Sequence, residues 1–470
     1  MNSKNIKNET KNAKKEHQQY FQHLLRYQKL YLGGLFILLS ALSLFSNYLQ
    51  EKPLLMGGES YYFLSSAREE VSYHPLTLLL RTIPPQRVFL VPPLIALGNI
   101  LLFYALARKL GLPEKIIFFT VLFYILTPAF IFASLTLSSH SVFLLLVLLG
   151  MNLLLQETKK KYLALLPFLI ASLMDTFSAL LLLIGLAGYF FSVKKIRERF
   201  SVLLLLCIAA VIIVGSTLLH APFFLGPFTI QNKAADVVSD LGALSGAGVF
   251  TILLAIIGLI TSWQKRNSLL RYLLLAFALL IAGYLLNTHT IFFLSLFLVA
   301  LAALGFVNLL KQHWKLSSLR SAVLLLLLLG ISFSAVAYLD RLSSYSPTAI
   351  DQKSLEWIKL NTDKDAVVLS APENSYYISY FAQRKPVFAL HQQYGDDYNL
   401  SQKMFSAYYI HELFPLLEEN NVSLVYVSDK MNQILPQEQE FLFLLQNERF
   451  KLLYFTDEAE VWSFEKIKTG

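Results

Sequence analysis

The chain reads as apolar blocks separated by short polar punctuation. A polar, lysine-rich opening covers residues 1–30 and carries Lys4, Lys7, Lys11, Lys14 and Lys15. Apolar runs then cover roughly 31–49, 88–107, 116–136, 141–155, 162–174, 177–192, 200–219, 248–263, 269–286, 291–310 and 321–338. About 20 apolar residues in a helix cross the hydrocarbon core of a bilayer. The pattern therefore predicts about eleven membrane helices between 31 and 340, with 162–192 read as two short helices or one re-entrant pair. The long charged arm and the junction SNYLQEKP, which offers no small-residue cleavage site, point to an uncleaved first span.

After about residue 340 the periodicity changes. SLEWIKLN, ENSYYISYFAQR, AYYIHELFPLLEEN and EFLFLLQN have helical spacing, while AVVLS, PVFAL, SLVYVS, KLLYF and EVWSF read as strands. That alternation predicts an α/β domain over 341–470 with a mostly parallel sheet.

Composition sharpens the picture. Hydrophobic residues make up 55% of the chain and charged ones only 15%, against about 25% charged in a soluble domain, which excludes a soluble cytoplasmic enzyme. The net charge of +9 is not a nucleic-acid signal, because its basic residues cluster between spans. RKLGLPEK (108–115), ETKKK (157–161), KKIRER (194–199), QKRN (264–267) and KQHWK (311–315) all fall on one side of the predicted bundle. The positive-inside rule makes that side, and the 1–30 arm, cytosolic. The loops at about 50–87 and 220–247 and the tail after 340 then lie outside the cytosol. Cys207, the single cysteine, forms no intrachain disulfide and reads as a packing residue.

Ionisable residues away from the basic clusters collect at the outer ends of the spans: Glu59, His140, Asp175, His220, Asp240 and His289. Ion-coupled transporters place such groups near the membrane midplane, so a rim distribution favours an enzyme that draws substrate from the outer leaflet. Asp396 and Asp397 lack the spacing of a calcium loop, and the triplets beginning at Asn399 and Asn421 fit a glycosylation acceptor on the outer face.

Three segments carry a resemblance. GGESYYFLSSARE resembles the first-loop motif of GT-C membrane glycosyltransferases. VVSDLGALSG, ahead of an apolar span, resembles an external-loop acidic motif of the oligosaccharyltransferase catalytic subunit. SLEWIKLNTDKDAVVLS is similar to the opening of that family's soluble domain. The resemblance implies a GT-C-like fold and transfer of a sugar or glycan from a polyprenyl phosphate or pyrophosphate to an acceptor outside the cytosol. It gives Glu59 the part of base or metal ligand, with a divalent metal such as Mg²⁺ or Mn²⁺ shared with His140 and Asp175. Asp240 would serve the acceptor side. The lipid phosphate would fall to His289, Arg68, Arg81 or Arg87, with Tyr61 beside the substrate. Two departures stand out. APENSYY (371–377) occupies the place of the WWDYG motif that reads peptide sequons, and SSHS replaces a second acidic motif. The acceptor is therefore open, as are two rival readings: a transporter or flippase of lipid-linked substrates, and a non-catalytic relative serving as an assembly partner.

Overall fold

The computed structural model describes residues 26–68, 74–156, 159–172, 174, 176–192, 237–242, 246–263, 268–286, 290–312, 314–343, 346–388, 396–435 and 440–465. Within them, the first part of the chain is helical. α1 (Gln28–Leu49) is followed by two loop helices, α2 (Gly58–Arg68) and α3 (Pro75–Arg81), and a 3₁₀ turn (Pro85–Leu90) that runs into α4 (Val91–Lys109). α5 (Glu114–Ile125), α6 (Pro128–Leu135), α7 (Ser139–Leu154), α8 (Leu165–Ser172) and α9 (Thr176–Ser192) come next. α10 (Val249–Trp263), α11 (Ser268–Leu286), α12 (Ile291–Lys311) and α13 (Ser317–Ser343) complete the bundle.

Helices stand at every predicted span except 200–219, which lies outside the described residues. Four stretches among the described residues are long and apolar enough to cross a bilayer: Gln28–Leu49, Pro85–Lys109, Ile291–Lys311 and Ser317–Leu342. The pair α5 and α6 makes a fifth if a bend of 59° is counted as one span. The run expected as one span over 116–136 is thus broken in its middle. Pro128 supplies no backbone N–H, and it holds Thr127 in an extended conformation (φ −76°, ψ 131°). The Thr127 hydroxyl answers by donating to the Phe123 carbonyl at 2.6 Å.

Inside lipid, helix contacts depend on small residues and buried polar bonds rather than on hydrophobic driving force. α10 and α12 meet through Gly258 and Gly305, where a Cβ on either would strike the backbone of the other helix. The Asn308 amide donates to Thr261 Oγ1 at 2.8 Å across the same pair. α4 and α7 are joined by Asn99, which donates to the Ser141 carbonyl at 3.2 Å, and by Asn152, which donates to the Leu102 carbonyl at 2.8 Å.

The C-terminal domain begins with α14 (Ala349–Asn361), started by a capping box between Thr348 and Asp351. Strands β1 (Val367–Leu369), β2 (Lys385–Pro386), β3 (Val422–Ser428), β4 (Phe450–Thr456) and β5 (Ala459–Phe464) form one sheet in the order β2-β1-β3-β5-β4. Helices α15 (Asp396–Phe405) and α16 (Ile410–Glu419) lie between β2 and β3. The β2-β1 and β1-β3 pairs are parallel, whereas β3-β5 and β5-β4 are antiparallel. The sheet is thus mixed rather than mostly parallel, because only two residues separate β4 from β5 and a hairpin that short runs antiparallel. Alternation along β3 explains its continuous apolar sequence. Leu424 and Tyr426 pack with α14 on one face, while Val425 and Val427 pack with α16 on the other.

Candidate active site

The loop after α1 is built around two glycines. Gly57 has φ +74°, a left-handed conformation suited to glycine, and a Cβ there would sit 3.1 Å from Thr136 Cγ2. At Gly58 a Cβ would sit 2.9 Å from the Tyr376 ring. The pair lets the chain turn tightly and start α2 against neighbours that leave no room for a side chain. Ser60 fastens this start, donating to the Met56 carbonyl at 2.6 Å and accepting from the Leu137 amide at 2.8 Å.

Glu59 is consequently fixed in the first turn of α2. Its Oε1 accepts from the Ser139 amide at 3.1 Å and from the hydroxyls of Ser138 and Ser139, each at 3.3 Å. Ser138 is the N-cap of α7, so the carboxylate lies at the N-terminal end of a helix that favours negative charge. Desolvation outweighs those bonds. The side chain is partly exposed but densely surrounded, and burial lifts its pKa from 4.5 to about 7 against the opposing pull of the Ser139 and Ser138 donors. Tyr376 lies within electrostatic reach, and its own phenol is pushed upward by burial first and by Glu59 next.

The serines of SSHS are what hold Glu59. His140 follows directly, but its ring lies inside the bundle, stacked on Phe292 at 5.8 Å and 14°. It lines a water-sized cavity of about 10 Å³ with Asn99 and Ser295. No group of three His, Cys, Asp or Glu side chains able to hold a metal converges among the described residues. Donors of the hydroxyl and amide type, rather than further carboxylates, surround Glu59 Oε1, so the described residues do not complete the divalent-metal site expected from Glu59 and His140. Asp175, the third expected ligand, lies outside the described residues, as do His289, His220 and Cys207.

Asp240 is described, and its partners are structural. One carboxylate oxygen accepts from the Val249 amide at 2.7 Å, at the start of α10, and the other from the Ser334 hydroxyl of α13 at 2.5 Å. Arg341 donates to the neighbouring Ser239 carbonyl at 2.5 Å. The acid of the second loop therefore straps that loop to two helices.

On the face of α2 away from Glu59, Tyr61, Leu64 and Arg68 recur at helical spacing. Tyr61 is 3% exposed and its hydroxyl donates to the Leu55 carbonyl at 3.0 Å. Its ring is enclosed by Tyr377, Tyr380 and Phe381, each at 5.2 Å. These three residues come from the C-terminal domain. Sequence reasoning gave them no role, although the aromatic run in NSYYISYF was the available signal. Arg68 stacks on Tyr380 at 4.0 Å and donates to its carbonyl at 3.2 Å. Beside this contact lies a cleft of about 490 Å³, reached by Arg68 and Arg81. Arg87 is exposed on the adjoining turn and does not line it.

The docking segment is itself anchored. Arg384, only 6% exposed, donates to the carbonyls of Lys359 (2.8 Å) and Thr362 (2.6 Å), closing the C-terminal end of α14. It also reaches the carbonyls of Ala382 and Gln383 at 3.2 and 3.1 Å, which fixes the turn behind Tyr380 and Phe381.

No protein-family model matches the sequence, and no curated protein does. Solved structures do match. The apo oligosaccharyltransferase of Archaeoglobus fulgidus is similar at 13% identity and TM-score 0.61, over 94% of this chain and 75% of that one. Its AglB in complex with an inhibitory peptide and a dolichol-phosphate is similar at 12% identity and TM-score 0.57, over 94% and 75%. A complex of the oligosaccharyltransferase with Zn and sulfate is similar at 14% identity and TM-score 0.58, over 86% and 68%. The chain has the polytopic helical membrane fold of these proteins, in agreement with the GT-C fold that its loop motifs imply.

Proposed function

We propose that this GT-C-fold chain is a membrane glycosyltransferase that moves a sugar or glycan from a polyprenyl phosphate or pyrophosphate to an acceptor outside the cytosol. The observation that supports this most is the placement of Glu59: a desolvated carboxylate, oriented by two serines at a helix start, on the first loop of the fold. In the reaction the acceptor oxygen or nitrogen attacks the anomeric carbon. The bond from that carbon to the phosphate oxygen breaks, and the phosphate leaves as an anion. The proton lost by the acceptor passes to Glu59, and a carboxylate titrating near neutrality suits that transfer. Ser138 and Ser139 keep the accepting carboxylate in one orientation, while Tyr376 closes over the loop.

Asp240 is assigned a positioning role, because both of its oxygens already serve the protein. His289 keeps its proposed part at the leaving phosphate. The APENSYY segment, which stands in the sequence where WWDYG would be expected, packs on α2 through Tyr376 and Tyr377, so the acceptor is proposed to be other than a peptide sequon.

The test is transfer from a synthetic polyprenyl-phosphate sugar by the purified chain. Glu59→Gln is expected to lower turnover by about 10²–10⁴ while donor binding is kept. Wild-type turnover in that variant overturns the assignment. Donor binding without turnover by wild type, with and without added Mg²⁺ or Mn²⁺, points instead to the non-catalytic relative.

A further inference from the structure

The cleft of about 490 Å³ lies between the loop after α1 (residues 53–55), the α2–α3 loop helices, the turn into α4 and the C-terminal segment around Tyr380. Its walls are apolar, with Leu54, Leu64, Ile83 and Phe89 from the membrane part and Phe381 from the C-terminal domain. Its charged groups are two guanidiniums, Arg68 and Arg81, with the amides of Gln86 and Gln352 nearby, and no carboxylate stands among the described lining residues. Such a volume is that of a small-molecule site. Two fork-shaped cations suit a phosphate oxygen pair, and apolar walls at the ends of two membrane spans suit the start of an acyl chain.

We propose that this cleft binds the headgroup of an anionic phospholipid from the surrounding leaflet, its phosphate held by Arg68 and Arg81 and its glycerol and upper chains along the apolar wall. The occupant is a bilayer lipid rather than the sugar donor because of where Glu59 sits. On a helix turning about 100° per residue, Glu59 falls near the opposite face from Tyr61, Leu64 and Arg68, so α2 stands between the cleft and the carboxylate. A phosphate held by these arginines cannot present a reacting sugar carbon to Glu59. Arg68 also touches Tyr380, so a lipid seated here would bridge the first loop and the C-terminal domain. The choice of a bilayer lipid over the donor rests on the proposed role of Glu59, whereas anion binding by the cleft rests on its lining alone.

The experiment titrates detergent-solubilised full-length protein with phosphatidylglycerol and phosphatidylcholine, counting bound lipid by native mass spectrometry. Inorganic phosphate and a polyprenyl phosphate serve as competitors. Phosphatidylglycerol is expected to bind at least about tenfold more tightly than phosphatidylcholine, and an Arg68→Gln, Arg81→Gln double variant to lose that preference. Arg87→Gln, outside the cleft, should keep it. Should the double variant fail to fold, Arg81→Gln alone gives the same readout. Equal binding of the two lipids, or a preference unmoved by loss of the arginines, overturns the proposal. Displacement by inorganic phosphate makes the cleft a free-anion site, and displacement by polyprenyl phosphate alone makes it a donor site; either result also overturns it.

Discussion

At the scale of single residues the proposed chemistry turns on one carboxyl group and what surrounds it. Folding raises the Glu59 pKa from 4.5 to about 7, so the folded protein binds that proton more tightly than the unfolded chain. The stability derived from it is complete below pH 4.5 and is lost as the pH rises to about 7. The proposed activity would have the opposite slope, because a proton acceptor must be ionised. Transfer is expected to rise through an apparent pKa of about 7, and a pH–rate profile of the purified chain checks this. Thermal unfolding in the same buffers should show Glu59→Gln losing part of the wild-type decline across that window. Gly58→Ala offers a second test. Its new methyl meets the Tyr376 ring at 2.9 Å, and the resulting overpacking is expected to cost about 1–3 kcal/mol, read as a lower unfolding midpoint with Glu59 chemically intact.

At the scale of elements, two charged side chains hold segments in place. Asp240 satisfies the first amide of α10 from nine residues away, and it binds Ser334 on α13. Asp240→Ala is expected to cost about 1 kcal/mol for the lost cap and to expose the second loop to protease. Arg384→Met should cost more, roughly 3 kcal/mol, since several buried carbonyls lose their donor. Denaturant unfolding of the whole protein compares the two. Sequence legibility also divides at this scale. The helical blocks and the β-rich runs were readable because each is written in local periodicity. Glu59 was singled out only through the resemblance of GGESYYFLSSARE to a known loop motif, and the serines that orient it lie about 80 residues away. The Asp240 strap was not readable, because its partner Ser334 lies 94 residues away and a loop acid carries no mark of which helix it will meet. Arg384 was equally hidden, since FAQRKPVF gives no sign that its arginine is buried against the end of α14. The break at Thr127-Pro128 was visible in the sequence, yet the apolar run around it outweighed the proline.

At the scale of the whole molecule, the bundle and the C-terminal domain each have their own core, and a few close contacts decide how parts meet. The approach of α10 and α12 depends on Gly258 and Gly305, with no space for even a methyl group at either. Gly258→Val or Gly305→Val is expected to force the two helices apart and lower the yield of folded, monodisperse protein in size-exclusion chromatography, whereas Gly185→Ala, with open space around it, should not. The junction between the domains rests on aromatic packing of Tyr61 with Tyr377, Tyr380 and Phe381 and on Arg68. Aromatic contacts of that kind add about 0.5–1.5 kcal/mol each beyond burial, so Tyr380→Ala should loosen the first loop while leaving both cores intact, as hydrogen exchange over residues 58–68 would show.

The bond from Arg68 to Tyr380 joins residues 312 positions apart, and this separation has a consequence for biosynthesis. A ribosome releases the first loop long before it makes the segment that covers it. Every helix of the bundle must be synthesised before Tyr61 acquires its aromatic enclosure and before Tyr376 reaches Glu59. A nascent chain, or a product truncated after α13, therefore carries Glu59 on an uncovered loop. On the proposed role of Glu59, competence would arrive only with the last quarter of translation, and completion of the polypeptide itself would be the event that turns the loop from open to enclosed.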